Sequence, residues 1–315
     1  MITFPESFDD LDVSTGSVVR AGGTDLQQRI RAGSITGDIV DLTDIENFAG
    51  IATGASGTRI GAGTRMATVA TQLAGLYPAL AATTGGLATP QVRAQGTIGG
   101  NLVQRTRCWY YRHPDLDCFK SGGDSCPART GRHLYGVAFD RSDCVHPHPS
   151  SIAMALLCHD DAEVELANGL RRSIPELLGD GTDPTRDHQL AADDVIAAVH
   201  LEPPWPEERG AYFRSISRFE AEWPLVECAV RASMLGEEIQ QIAVAIGGVA
   251  TVPLRMDRAE SQMVGSVLDK ATIEAASAAC AAGTNPLPET SYKTDLIKAT
   301  VRECLQRVLE TGREF

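Results

Sequence analysis

Four cysteines crowd into one window, Cys108, Cys118, Cys126 and Cys144, half of the eight in this 315-residue chain. Four of the seven histidines, His113, His133, His146 and His148, lie in or just beyond it. Thiolates and imidazoles are the donors that take zinc or iron-sulfur clusters. Successive cysteines stand ten, eight and eighteen positions apart, which fits neither a Cys-x-x-Cys zinc ribbon nor the compact ferredoxin run. A stretch of roughly 40 residues without periodicity needs something to order it, and four thiolates on a metal centre would do so. Free thiols in a surface loop and structural zinc held by Cys and His stay open on residue types alone. Trp109, Tyr110, Tyr111 and Phe119 suit a dry shell around a metal and equally suit ordinary packing.

Two glycine loops offer a different chemistry. The first, 21–26 (AGGTDL), falls between a predicted strand and a predicted helix. Paired glycines let backbone N–H groups gather around an anion, a helix N-terminus adds partial positive charge, and Thr24 adds a hydroxyl. A plain turn with a Thr or Asp helix cap has the same composition. The second, 96–102 (GTIGGNL), repeats the ingredients with Thr97 and Asn101. Neither loop fits G-x-G-x-x-G or the Walker pattern, so two in one domain point to a dinucleotide site of non-Rossmann type.

Positioning these groups falls to short elements. Strands are predicted at 17–20, 38–42 and 58–61, with helices at 27–32 and 67–76, the latter stopped near Pro78. Residues 90–102 read as Gly-rich loop, and 105–148 carry no helical or strand period. A helix near 150–157 and an alternating strand at 162–166 (AEVEL) follow. The stretch 171–206, with Asp183-Pro184 and Pro203-Pro204-Trp205-Pro206, reads as a linker edge. The remainder is predicted as α+β: a segment at 212–216, a helix at 224–235, a strand at 241–246, and helices near 271–282 and 296–309. Ile297, Val301, Cys304, Leu305 and Val308 share a face of the last helix, with Gly312 as its end signal. Ile273, Ala276 and Cys280 line the helix before it, and Leu225, Cys228, Ala229 and Ala232 the one at 224–235. Cys228, Cys280 and Cys304 are therefore expected in the core.

Composition narrows the partners. With 28 basic and 41 acidic residues the net charge is −13, which argues against nucleic acid or an anionic membrane surface. No basic segment leading into an apolar one opens the chain, and no window approaches the roughly 18 apolar residues of a membrane span. A cytoplasmic protein without a membrane span is expected, export beside a signal-bearing partner staying open. Locally, Arg105, Arg107, Arg112, Lys120, Arg129 and Arg132 outnumber Asp115, Asp117 and Asp124. That surplus reads either as a solvated loop or as a docking face for an acidic electron carrier.

AGGTDL and PQVRAQGTIGGNL resemble the two FAD-pyrophosphate loops of the flavoprotein subunits of the xanthine dehydrogenase and carbon monoxide dehydrogenase family. The similarity extends to DIVDLTDI, TRIGAGTRMATVA, SISRFEAEWPLVECAVRA, IAVAIGGVATVPLRMDRAE and TSYKTDLIKATVRECL, nearly the whole chain. It implies an α+β protein: a two-lobed FAD-binding domain of p-cresol methylhydroxylase type over 1–180, a Cys-rich insertion at 105–148, a linker edge at 181–208, and a small α+β domain over 209–315. It also implies that Arg20, Ala21, Gly22, Gly23, Thr24, Asp25 and Leu26 line the adenine and pyrophosphate side of FAD. Gly96, Thr97, Gly99, Gly100 and Asn101 would form the second loop, and Leu225 would lie near the isoalloxazine. The family has an Asp in a stretch like H-P-S-D-L, where this chain has His148, Pro149, Ser150, Ser151 and Ile152. Ser151 takes the place of that carboxylate, and weaker FAD binding is expected.

The segments QRTRCWYYRH, GGDSCPARTG and VHPHPS resemble the insertion in flavin subunits of bacterial aldehyde oxidoreductases and, more distantly, of hydroxybenzoyl-thioester reductases. There four cysteines bind a 4Fe-4S cluster, which the resemblance assigns to Cys108, Cys118, Cys126 and Cys144. The implied role is electron transfer with no catalytic acid or base on this chain. Substrate would be oxidised at the molybdenum cofactor of a large partner subunit, and electrons would cross the 2Fe-2S clusters of a small one. FAD here would pass them to an external acceptor such as a ferredoxin. An aldehyde oxidoreductase is expected, with a hydroxybenzoyl-CoA reductase-like or xanthine/CO dehydrogenase-like enzyme as the alternative. A self-sufficient flavin oxidase needs a substrate domain for which the roughly 100 residues after the linker are too few. A redox-inert zinc scaffold is separable by metal analysis.

Overall fold

The computed structural model describes residues 1–14, 16–219 and 221–311. Short β-branched runs near the N-terminus form a three-stranded parallel sheet of β1 (Ile2–Thr3), β2 (Val18–Arg20) and β3 (Ile39–Asp41), in the order β1-β3-β2. Parallel neighbours need a crossover, and α1 (Leu26–Arg31) supplies it between β2 and β3. The second sheet contains β4 (Ile51–Gly54), β5 (Gly57–Gly61), β6 (Glu163–Leu166), β7 (Arg171–Ser173) and β8 (Ile196–Leu201). Its order is β4-β5-β8-β6-β7, all antiparallel. Gly57 is required at the hairpin tip: its φ is +122°, and a Cβ there would stand 2.0 Å from Leu201 O. The third sheet, β12-β11-β10-β9, is antiparallel and uses β9 (Glu208–Ser215), β10 (Val226–Leu235), β11 (Glu238–Gly247) and β12 (Leu254–Arg255).

Helices fill the space between sheets: α2 (Met66–Gln72), α3 (Pro78–Gly86), α4 (Pro90–Gln95), α5 (Ile98–Leu102), α6 (Trp109–Arg112), α7 (Pro127–Thr130), α8 (Ser151–Leu156) and α9 (Ile174–Leu178). Beyond β12 follow α10 (Asp257–Met263), α11 (Lys270–Cys280) and α12 (Lys293–Glu310). One apolar core runs from Val40 to Val308, and Cys158, Cys228, Cys280 and Cys304 are buried in it. The predicted apolar face of α12 is wholly buried, while Gly312 lies outside the described residues. Among the described residues, no helix is long and apolar enough to cross a membrane.

Three predicted elements differ. The expected helix at 224–235 is the strand β10, buried from Val226 to Met234. Covered on both faces, it shows no alternation, and its small Ala, Cys and Ser residues imitate a helix stripe. The expected loop at 90–102 is two helical turns, capped where Thr89 Oγ1 accepts from Val92 N (3.2 Å) and Thr97 Oγ1 from Gly100 N (3.1 Å). The expected linker edge contains β8, the middle strand of its sheet, whose IAAVHL sequence is likewise buried on both faces. The Pro-rich turn after it is clasped by Arg231, which pairs with Glu202 and Glu208 and lies 3.9 Å over the Trp205 ring.

The insertion has α6, α7 and a turn at Phe119–Ser121, and other parts of the chain hold it in place. Ala138 N and Phe139 N donate to Val249 O, His148 N donates to Ala250 O, and Asn285 N donates to Ala138 O. Asn285 also accepts from Asp140 N (2.8 Å) and donates to Asp140 O (3.0 Å). Lys293 Nζ donates to Gly248 O (2.7 Å) and Tyr135 O (3.5 Å). The second half of the insertion is thus fixed to the C-terminal part of the chain by protein contacts.

Candidate functional site: three joined cavities and a four-thiol cage

The two glycine loops meet backbone to backbone. A Cβ on Gly22 would stand 2.1 Å from Gln95 O, and one on Gly99 2.7 Å from Ala62 Cβ. This close approach creates the first of three connected cavities, about 470 Å3, between residues 20–26, the second loop, and Arg186, Asp187 and His188. A second, about 240 Å3, shares Thr24, Asp25, Thr97, Gly100 and Gln104 with the first and adds Gly96, Asn101, Ser151 and Arg214. A third, about 520 Å3, shares Arg107, Pro149 and Trp223 with the second and adds Cys108, Trp109, Tyr135, His148 and Glu227. The run is thus glycine-lined at one end and aromatic at the other.

Of the predicted flavin-contact residues, Arg20, Ala21, Gly22, Gly23, Thr24, Asp25, Leu26, Gly96, Thr97, Gly99, Gly100, Asn101 and Ser151 border these cavities. Leu225 borders none of them; its neighbours Trp223 and Pro224 form the wall instead. Asn101 Oδ1 accepts from Ser150 Oγ at 2.7 Å. Arg29 Nε, Gln104 Nε2 and Arg107 Nε are buried without a hydrogen-bond partner, and all three residues line the run. Unsatisfied donors beside a cradle too tight for a Cβ fit an anionic dinucleotide.

Asp25 does more than line the cavity. It pairs with Arg107 (2.7 Å) and Arg112 (2.8 Å) and accepts from Arg105 N (3.1 Å). Burial raises its pKa, but the two arginines outweigh it and hold the carboxyl below its usual range. Asp187 repeats the pattern with Lys120 (2.9 Å) and Arg105 (2.8 Å). There too burial raises the pKa, and the paired cations bring it down to about 2. Burial lowers His148 and His188 to about 4, so both are neutral at pH 7. Arg129 pairs with Asp140 and Arg132 with Glu289. Among the six basic residues counted from sequence, these pairings leave only Arg132 with a largely exposed side chain, at 73%. All six pair with carboxylates that lie outside the window of the local charge count.

Beside the third cavity, Cys108, Cys118, Cys126 and Cys144 border a small space of their own, about 20 Å3, with Tyr110, Tyr111, Phe119, Pro127 and Ala128. Cys108 borders both this space and the third cavity. All four are free thiols. Burial raises the Cys108 thiol, against backbone hydrogen bonds from Tyr110 and Tyr111, and pushes Cys144 up to about 12. Positive charge in the cage would reverse that cost. Among the described residues, no group of three or more His, Cys, Asp or Glu is placed to hold a single metal ion. His133 Nδ1 lies 3.1 Å from Ala128 O, while His146 borders the thiol space itself, with its Nδ1 2.9 Å from Thr106 Oγ1.

Sequence reading missed Arg29, Arg107, Asp187, His188, Trp223 and Glu227. Trp223 and Glu227 sit inside the quoted SISRFEAEWPLVECAVRA block, so a signal existed; Asp187 and His188 lay in the presumed linker, with none.

The family described as the FAD binding domain in molybdopterin dehydrogenase matches residues 9–205, and the CO dehydrogenase flavoprotein C-terminal domain matches 211–308. The chain is 30% identical over 226 residues to the aldehyde oxidoreductase FAD-binding subunit PaoB of Escherichia coli (strain K12), covering 69% of this chain and 67% of that one. It is 24% identical over 229 residues to the carbon monoxide dehydrogenase medium chain of Hydrogenophaga pseudoflava, covering 72% of this chain and 63% of that one. Among solved structures, a chain of the Cu,Mo-CO dehydrogenase in its cyanide-inactivated form superposes with a TM-score of 0.75 at 20% identity, covering 99% and 98%. Quinoline 2-oxidoreductase from Pseudomonas putida 86 gives 0.74 at 20% identity, covering 99% and 97%. This chain belongs to the FAD-binding medium subunits of the molybdenum hydroxylase family, which are oxidoreductase flavoproteins.

Proposed function

We propose that this subunit carries FAD in the three joined cavities and a 4Fe-4S cluster on Cys108, Cys118, Cys126 and Cys144, and that it transfers electrons within an aldehyde oxidoreductase. One observation carries the proposal: Cys108 borders both the thiol cage and the aromatic cavity, so a cluster ligand forms part of the flavin-side wall. The aldehyde assignment rests on the 30% identity to PaoB. Residues 9–205, whose sheet includes β8, and residues 211–308 are the two working units. Partners are a large subunit with the molybdenum cofactor and a small subunit with 2Fe-2S clusters. The acceptor lies outside the complex.

Gly22, Gly23, Gly99 and Gly100 admit a diphosphate at the loop contact, while Arg29, Gln104 and Arg107 offer it donors. The aromatic end, with Trp223 under Arg107 at 4.3 Å, receives the ring system. FAD when bound accepts two electrons and releases them singly, the property that suits it to stand beside a one-electron cluster. The four thiols fit such a cluster as a donor set.

The test is an iron, zinc and flavin count with an absorption spectrum on the complex produced anaerobically, then the same on Cys126→Ser. Flavin kept, with the iron count lower by one 4Fe-4S cluster per complex in the variant, is the expected result. Zinc in place of iron, or iron unchanged in Cys126→Ser, would refute the cluster; absence of flavin would refute the cavity assignment.

A further inference from the structure

At the aromatic end lies a carboxyl group that electron transfer alone does not call for. Glu227, in the middle strand β10, is 1% exposed and borders the third cavity beside Trp223 and His148. Tyr212 of β9 donates its hydroxyl to Glu227 Oε2 at 2.8 Å, and Ser151 of α8 also hydrogen-bonds to this carboxyl. Gly247 of β11, its register partner, gives it room, since a Cβ there would stand 2.6 Å from Glu227 Oε1. A carboxyl thus does stand beside Ser151, where the sequence lacked one, but it comes from β10 rather than α8.

Arg107, Arg132, His133, His146, His148, Arg218 and Glu222 border the same cavity, and none of them is hydrogen-bonded to Glu227 among the described residues. From β9 come Tyr212 and Arg214, and Arg214 Nη1 donates to Glu222 O at 3.2 Å rather than to Glu227. His148 shares the cavity, and burial holds it neutral. Lys293 of α12 is committed to the carbonyls of Gly248 and Tyr135. Among the described residues no basic side chain hydrogen-bonds to Glu227; burial raises its pKa, against the bonds from Ser151 and Tyr212 and the nearby charge of Arg214. Burial with only neutral direct donors favours the acid form of this carboxyl.

We propose that Glu227 is a proton-holding residue of the flavin site. Its carboxyl borders the ring end as an O–H donor and passes that proton to the bound ring system when an electron enters from the partner's clusters. One proton then accompanies one electron onto the ring, and the negative charge is left on the Glu227 carboxylate. The carboxylate left behind keeps the hydrogen bonds from Tyr212 and Ser151 and recovers its proton when the electron leaves. The inference rests on the reading of these cavities as the flavin site.

The test uses the assembled complex and Glu227→Gln, which keeps the shape and is neutral at every pH. Flavin content is measured first: a wild type without flavin refutes the cavity assignment, and this inference with it. In flavin-loaded wild type, the oxidised-minus-reduced infrared spectrum should contain a protonated-carboxyl C=O band that shifts in heavy water. In E227Q that band should be gone, and the pH profile of flavin reduction should lose one ionisation. Flavin retained in E227Q with the band and the profile unchanged overturns the proposal. Should E227Q fail to fold, Tyr212→Phe removes a donor that favours the carboxylate, and the ionisation must then move to higher pH; no movement overturns it equally.

Discussion

The two halves of the cysteine insertion are held by opposite means. The front half, around 105–120, hangs on two carboxylates: Asp25 takes Arg107 and Arg112, and Asp187 takes Arg105 and Lys120. The back half, around 133–148, is stitched to residues 248–250 and 285–293 mainly by backbone groups and neutral side chains. Charge concentrates the hold in a few atoms, whereas backbone bonding spreads it. Removing one side chain should therefore cost much in front and little behind. The front half is also the one joined to the glycine loop, so its failure reaches the first cavity.

Asp187→Asn offers the sharpest break. Its side chain is 3% exposed and Lys120's 4%, so the variant leaves a buried ammonium with only the Arg186 carbonyl and deprives the half-buried Arg105 of its partner. A loss of about 3–5 kcal/mol is expected from breaking such a buried pair. Denaturant melting would measure it, and proteolysis should open near 105–120 first. The pH dependence has a fixed sign. With its folded pKa depressed to about 2 from an ordinary 3.8, Asp187 adds stability above the ordinary value. That increment is lost as pH falls through about 2, and D187N should lack it.

Asn285→Ala probes the other half. It deletes two hydrogen bonds, to Asp140 N and Asp140 O, and leaves the backbone bond from Asn285 N to Ala138 O. About 1–2 kcal/mol should be lost, with flavin and thiol cage retained. If N285A matched D187N in cost, the contrast between concentrated and distributed hold would be wrong.

The same contrast explains what the sequence made legible. Glycine motifs are local: AGGTDL and GTIGGNL stand out within a few residues, although the second is a capped helical turn rather than a loop, and the structure brings both to one cavity run. The apolar faces of α11 and α12 were readable because each has one wet side. β8 and β10 were not, since strands covered on both faces lose the period that marks a strand. Charge pairing was illegible for a different reason. Arg105 and Asp187 are far apart in sequence, so a count over 105–132 found a surplus where the fold has closed ion pairs. Glu227 combined both failures: it sits on a misread strand and is bonded by Ser151 of a helix distant in sequence.

Lys293→Met should give the smallest change at neutral pH and the most specific one in slope. Lys293 is 1% exposed, and burial lowers its pKa to about 7 from an ordinary 10.5. Between those values the unfolded chain binds a proton that the folded chain does not, so wild-type stability rises with pH across that window. A methionine keeps the packing, removes the titration and gives up the bonds to Gly248 O and Tyr135 O. At pH 7 the net change should stay within about 1 kcal/mol, because relief from a buried charge offsets the lost bonds. Melting across pH 7 to 10 should then be flatter in K293M than in wild type. An equal slope in both would mean that some other group titrates there, and that the back half is held without any contribution from this lysine's charge state.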